Sequence, residues 1–238
     1  LLKGAEQKTV TLSAENGFTL SNGTNEKHFL PEGKAVLTAD LPWFSHGIVT
    51  ATAETPIRVA FADGTAYQYE GTIELERRGA DSLAVINELS LERYLLGVVP
   101  HEMPTSFGQT LEAQAITARS YAYNQFYANT YCAYGAHVTD TTASQVYLGY
   151  AENETAAQAV KATEGMCAVT KTGAVAQTYF YSTSCGFGAV RRFGRRTAAF
   201  PAGKNPICRR RPTGISRRRR QRRNGLPSGR IGRNRGTI

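Results

Sequence analysis

Acidic residues are absent from the end of this 238-residue chain: all 19 Asp and Glu lie before position 165. Residues 1–190 set 11 Lys and Arg against those 19 acids, whereas residues 191–238 hold 17 basic residues and no acid. The formal charge of +9 is therefore a property of the tail, and it does not make the body a binder of nucleic acid or membrane. Cysteine is scarce too. Cys132, Cys167, Cys185 and Cys208 are too few and too widely spaced for a disulfide scaffold or a CxxC zinc site, leaving room for one disulfide or for free buried thiols. No run approaches the roughly 18 consecutive apolar residues of a membrane span. The chain opens on Leu1 without a methionine, so the lack of a leader or anchor segment is no evidence for the cytoplasm.

What is present is a β-rich beginning. Lys8–Leu12, Lys34–Thr38, Gly47–Ala51, Ile57–Phe61, Thr65–Ile73 and Ser82–Ile86 alternate like strands, and Asn16-Gly17, Asn22-Gly23, Pro31-Glu32-Gly33 and Asp63-Gly64 supply turns between them. From Ser90 the period changes. Ser90 caps a short helix over Tyr94, Leu95, Val98 and Val99, which Pro104 interrupts and so leaves Glu102 at the helix end or in the bend beyond. Leu111–Tyr127 reads as an alanine-rich helix and Asn153–Glu164 as another, with Gly165 as its C-cap. Val169–Thr170 and Val175–Ser182 read as strands. The expected fold class is α+β: a β-rich region over residues 1–89, a mixed helix and strand region over 90–189 forming a groove, and a basic tail over 190–238 with no sustained hydrophobic period.

Several residues could carry chemistry. Glu102, between Val98-Val99-Pro100 and Met103-Pro104, is an isolated carboxylate in a partly apolar bend, which suits an acid that must give up a proton and take it back. A surface glutamate reads the same way locally. Asp140 is the best second acid for positioning, or else a turn former before Thr141-Thr142. Arg119, in a small and apolar helical stretch, needs a partner: it braces a carboxylate, holds a sugar, or snorkels to solvent. Gln145 and Tyr147 share a side if their segment is extended, as a sugar-binding edge and stacking surface, though packing explains the tyrosine equally well. Tyr181 and Ser182 belong to a polar, glycine-bearing strand exit, Tyr179–Gly188. His101 and His137 match no metal-ligand spacing, and nothing ties His137 to Cys185 as a nucleophile pair.

Five stretches carry a resemblance: LERYLLGVVPHEMP at 91–104, LEAQAITARSYAY at 111–123, DTTASQVYLGY at 140–150, AVKATEGMCAV at 159–169 and YFYSTSCGFG at 179–188. In this order they resemble the stage II sporulation protein D family (SpoIID), with its amidase enhancer LytB group, over roughly residues 50–188. The resemblance implies a lytic transglycosylase that cuts peptide-free peptidoglycan strands to 1,6-anhydro-muramyl ends. It places the essential glutamate on Glu102 and supports Arg119, Gln145, Tyr147, Tyr181 and Ser182 as substrate-binding residues. It further implies peptidoglycan glycan strands as substrate, a cell-wall amidase and engulfment-complex proteins as partners, an extracytoplasmic setting, and no specific nucleic acid. A non-catalytic wall-binding or amidase-enhancing module is the alternative.

Two departures from the family matter. One branch holds zinc in the segment matching Val138–Tyr147, where this chain has Thr139, Ala143 and Ser144, which cannot replace thiolate or imidazole; we therefore expect no metal and no cofactor. After Gly188 the family pattern stops and arginines take over, as a shifted reading frame or truncated gene product would leave it. The rival is a basic tail that binds polyanions through Arg217–Arg223 without specificity.

Overall fold

The computed structural model describes residues 1–104 and 106–180. Among them, the alternating segments form nine strands: β1 (Thr9–Ala14), β2 (Phe18–Ser21), β3 (Glu26–Phe29), β4 (Lys34–Thr38), β5 (Val49–Thr52), β6 (Ile57–Phe61), β7 (Ala66–Tyr69), β8 (Thr72–Arg78) and β9 (Ser82–Glu88). One antiparallel sheet has the order β4-β1-β6-β7 and the other β3-β2-β5-β8-β9. The two-residue period sends one side of each strand inward. Val10 and Leu12 of β1, Val59 of β6, Val49 and Ala51 of β5, and Ile73 and Leu75 of β8 are all buried in one hydrophobic cluster. Both sheets therefore turn a face to the same core.

Three α-helices accompany the sheets among the described residues: α1 (Leu91–Glu102), α2 (Gly108–Ala128) and α3 (Glu154–Ala162). Ser90 caps α1 by accepting the Arg93 N–H at 3.4 Å, and Asn153 caps α3 by accepting the Ala156 N–H at 2.9 Å. The buried face of α2 presents Ala115, Ala118 and Ala122, whose small side chains let α1 and α3 lie close against it. Leu95, Val98 and Val99 of α1 join the cluster that the sheets build, so strands and helices share one core.

The single strand expected over Thr65–Ile73 is two. Gly71 breaks it with a φ of +81°, and a Cβ there would collide with the Glu88 carbonyl. Strands β2 and β3 had no sequence signal beyond their flanking turns: each has four residues, and three of the four in β3 are exposed. The strands expected at Val169–Thr170 and Val175–Ser182 do not form among the described residues. Only the bridge Val169↔Val175 does, because no neighbouring strand offers a ladder and Val169 stays exposed. Tyr181, Ser182 and the basic tail lie outside the described residues.

Candidate functional site

Glu102 is the last residue of α1, as the sequence led us to expect. The Met103 N–H still bonds to the Val99 carbonyl at 3.0 Å, and Pro104 then ends the helix. The carboxylate does not hang free. Its Oε1 accepts the backbone N–H of Val146 at 2.6 Å, which fixes one oxygen against a segment 44 residues away.

That segment, residues 145–149, crosses α1 and grips it at several points. Gln145 is buried, accepting the Tyr94 hydroxyl at 3.2 Å and donating to the Ala118 carbonyl at 3.4 Å. The Tyr147 ring lies in a niche that exists only because residue 97 is glycine, where a Cβ would overlap both that ring and the Gly149 carbonyl. Its hydroxyl donates to Asn87 Oδ1 at 2.7 Å, while Asn87 Nδ2 donates to the carbonyls of Glu70 and Thr72 at 2.7 and 3.3 Å. Burial pushes the Tyr94 and Tyr147 phenols well above their ordinary range, so both remain protonated donors. A run of contacts thus leads from the β8–β9 hairpin through Tyr147 to the amide that holds Glu102.

Arg119 is 1% exposed and is the largest fully buried side chain among the described residues. Its Nε and Nη2 donate to the two carboxylate oxygens of Glu92 at 2.8 Å each, Nη1 donates to the Met166 carbonyl at 3.0 Å, and Nη2 also reaches the Val160 carbonyl at 3.3 Å. Of the three roles open to it from sequence, the geometry gives the carboxylate brace: Arg119 ties α2 to the first turn of α1 and to the end of α3. Gln145 is likewise spent inside the fold. The structure brings Arg119, Gln145 and Tyr147 around α1, not into one open binding edge.

Asp140 is placed elsewhere. Its Oδ2 accepts the Lys3 N–H at 2.7 Å, its Oδ1 is buried without a hydrogen-bond partner, and burial raises its carboxyl above the ordinary value against the pull of the Lys3 amide. Asp140 and Tyr147 line a cavity of about 590 Å³ between the β8–β9 hairpin, α1 and α2. Glu102 does not line it.

The residues that would have to hold zinc do not fit it. The Thr139 Oγ1 bonds with Thr141 Oγ1 at 3.1 Å and with Ser144 Oγ at 3.4 Å, and the Thr139 N–H donates to Ser144 Oγ at 3.1 Å. These hydroxyls close the turn on themselves, and His137 lies tilted by 33° against Phe126 with ring centroids 4.5 Å apart. Neutral hydroxyl oxygens already paired to one another are poor zinc ligands.

Three residues that hold this arrangement together escape the sequence reading. An acid in a first helical turn, as Glu92 is, and an asparagine near a strand end, as Asn87 is, carry no local mark of their partners. The backbone amide of Val146 has no side-chain signature at all. Gly97 did leave a signal, because glycine inside a helix asks for a close neighbour.

Residues 79–169 match the SpoIID family model, Stage II sporulation protein, inside the stretch that carried the resemblance. An uncharacterised protein of Brachyspira hyodysenteriae is 42% identical over 108 residues, which are 44% of this chain and 28% of that protein. The amidase enhancer of Bacillus subtilis is 40% identical over 93 residues, 39% of this chain and 12% of that protein. The match therefore spans less than a third of the length of the curated relatives, 28% of one and 12% of the other. No solved structure matches.

Proposed function

We propose that this chain, whose residues 79–169 match the SpoIID family model, acts on the bacterial cell wall as a peptidoglycan lytic transglycosylase with Glu102 as its acid/base. The observation that carries the reading is the clamp on Glu102: a lone carboxylate at a helix end, one oxygen fixed by the Val146 amide, in the segment that matches the family. In this mechanism the protonated Glu102 gives its proton to the glycosidic oxygen as the bond from N-acetylmuramic acid to N-acetylglucosamine breaks. The 6-hydroxyl of the same muramyl residue attacks the anomeric carbon and returns its proton to Glu102. The product ends in 1,6-anhydro-N-acetylmuramic acid, no water is consumed, and a single carboxylate suffices. Asp140 is a positioning residue in this reading, and Tyr147 contributes through its grip on α1. Substrate contacts from Arg119 or Gln145 would require their internal hydrogen bonds to open.

The setting that accompanies this function is outside the cytoplasm, with peptide-free glycan strands as substrate and a wall amidase and engulfment proteins as partners. No helix among the described residues is long and apolar enough to cross a membrane. A second reading, a wall-binding module that enhances an amidase without cleaving, is favoured by the amidase enhancer relative and by the internal commitment of Arg119 and Gln145.

Mass spectrometry of peptide-free glycan strands incubated with the folded chain and with Glu102→Gln separates the two. Anhydro-muramyl ends from the parent, reduced at least about a hundredfold in the variant, are expected for the enzyme. Strands bound but uncut by both proteins would overturn it in favour of the binding module.

A further inference from the structure

We propose that His101 is a second contact for the glycan strand at the end of α1, its Nε2 accepting a hydrogen bond from an O–H or acetamido N–H of a sugar beside the bond that Glu102 protonates. The inference rests on the glycan reading of this site and starts from a tautomer. His101 Nδ1 lies 2.6 Å from the carbonyl oxygen of Gly97, and a carbonyl can only accept, so Nδ1 carries the hydrogen. The neutral ring therefore keeps its lone pair on Nε2. That atom has no partner among the described residues and is not one of their buried unpaired atoms, so it is open to solvent on a half-buried side chain.

Position ties the ring to the site. Residues four apart share a helix face, so His101 stands one turn beyond Gly97 on the same side of α1. Tyr147 and Gly149 lie against that side, since a Cβ on Gly97 would meet the Tyr147 ring and the Gly149 carbonyl. Val146, the residue before Tyr147, gives its N–H to Glu102 Oε1. His101 and Glu102 thus flank one crossing segment, residues 146–149, from neighbouring positions about 100° apart around the helix axis. Neither side chain is the other's partner: Glu102 is held through Oε1 and His101 through Nδ1, and each keeps one polar atom, Oε2 and Nε2, unspent among the described residues.

The chemistry selects the group that fits. A pyranose strand offers hydroxyls and acetamido N–H groups as donors, and the lone pair on Nε2 takes one of them. A carboxylate, the lactyl group of a muramyl residue included, brings only lone pairs and gains nothing from a neutral Nε2. The Gly97 carbonyl sets the ring's orientation before any strand arrives, so little freedom is lost when the contact forms.

Binding of peptide-free glycan strands is measured by calorimetry on the full chain carrying Glu102→Gln, so that no cleavage enters, and KM and kcat are measured on the chain with Glu102 intact. Two substitutions separate the ring's two nitrogens. An Asn amide can still donate to the Gly97 carbonyl but has nothing at the Nε2 position, whereas a Gln amide reaches the Nε2 position and gives up the Nδ1 bond. His101→Asn is expected to weaken strand binding about three- to tenfold, the value of one neutral hydrogen bond, and to raise KM by as much with kcat little changed. His101→Gln should bind within about twofold of the unsubstituted chain, even where its Tm is the lower of the two. Unchanged binding in His101→Asn, no recovery in His101→Gln, or losses that follow Tm in both variants would assign the ring to helix packing and overturn the proposal. Chitotetraose, which lacks the lactyl group, should suffer the same loss in His101→Asn; a loss confined to muramyl strands would make His101 a cation reading their carboxylate and overturn the acceptor assignment. A chain that neither binds nor cuts strands refutes the glycan reading and this contact with it, whereas one that does so with His101→Asn unimpaired refutes this contact alone.

Discussion

Replacing Glu92 by Gln should cost this fold far more than losing any other ion pair among the described residues. Arg119 is 1% exposed and Glu92 33%, and two of the guanidinium hydrogen bonds, both at 2.8 Å, go to the Glu92 carboxylate. With the carboxylate neutralised, a buried cation keeps only the Met166 and Val160 carbonyls and one amide oxygen. Breaking a buried pair from one side costs about 3–5 kcal/mol. The partial exposure of Glu92 and the acceptor that Gln retains bring the expectation down to about 2–3 kcal/mol. For a folded unit of this size that lowers Tm by roughly 5–10 °C. The internal control is Arg93→Ala, which removes the Arg93–Glu70 pair, also 2.8 Å long but with Arg93 60% exposed; solvent screening limits that loss to within about 1 kcal/mol. Equilibrium unfolding in urea, followed by circular dichroism, compares the two. Equal losses in both variants would refute the argument that burial, and not distance, sets the value of the Arg119 brace.

Other outcomes follow from the same geometry. Gly97→Ala forces a methyl into the Tyr147 ring and the Gly149 carbonyl, so it should destabilise by about 1–3 kcal/mol in thermal unfolding, and a neutral result would mean that the niche is not tight. Tyr147→Phe strands Asn87 Oδ1 and should cost about 1–2 kcal/mol while lowering the yield of anhydro-muramyl product more than it weakens strand binding; the reverse pattern would make Tyr147 a substrate contact. A strong zinc chelator should leave both Tm and any cleavage unchanged, because paired hydroxyls close the 139–144 turn, and a clear loss of either would show a metal in use. Burial raises the Asp140 carboxyl above 3.8, so the folded chain holds that proton more tightly than the unfolded one. Its contribution favours folding below the unfolded value and is lost as pH rises through the folded one. Asp140→Asn should therefore gain on the parent as pH climbs through that window in urea unfolding, and a pH-independent difference would count against the assignment.

Much of the fold was legible because local chemistry and tertiary context agree. Ser90 and Asn153 are good caps and do cap, and Pro104 does end the helix that carries Glu102. Where the two diverge, the reason is long-range pairing. The Val169 and Val175 segments have strand-like residues but no partner strand among the described residues, and β3 is a strand only because β2 lies beside it. Polar residues were the hardest to place. Arg119 and Gln145 attract attention as binding residues, yet both are buried among partners distant in sequence, at Glu92, Tyr94 and Ala118.

The sequence alone determined the β-rich start, the helix that ends at Glu102, the charge division along the chain and the family resemblance, because each is written in neighbouring residues through period, capping, charge or motif. Only the tertiary structure decided that Val146 holds Glu102, that Gly97 makes room for Tyr147, that Arg119 braces Glu92, and that Asp140 faces a cavity with one oxygen unpaired. Those facts depend on contacts across 27 to 137 residues of chain, and a contact of that range is fixed by how the elements pack rather than by any local preference.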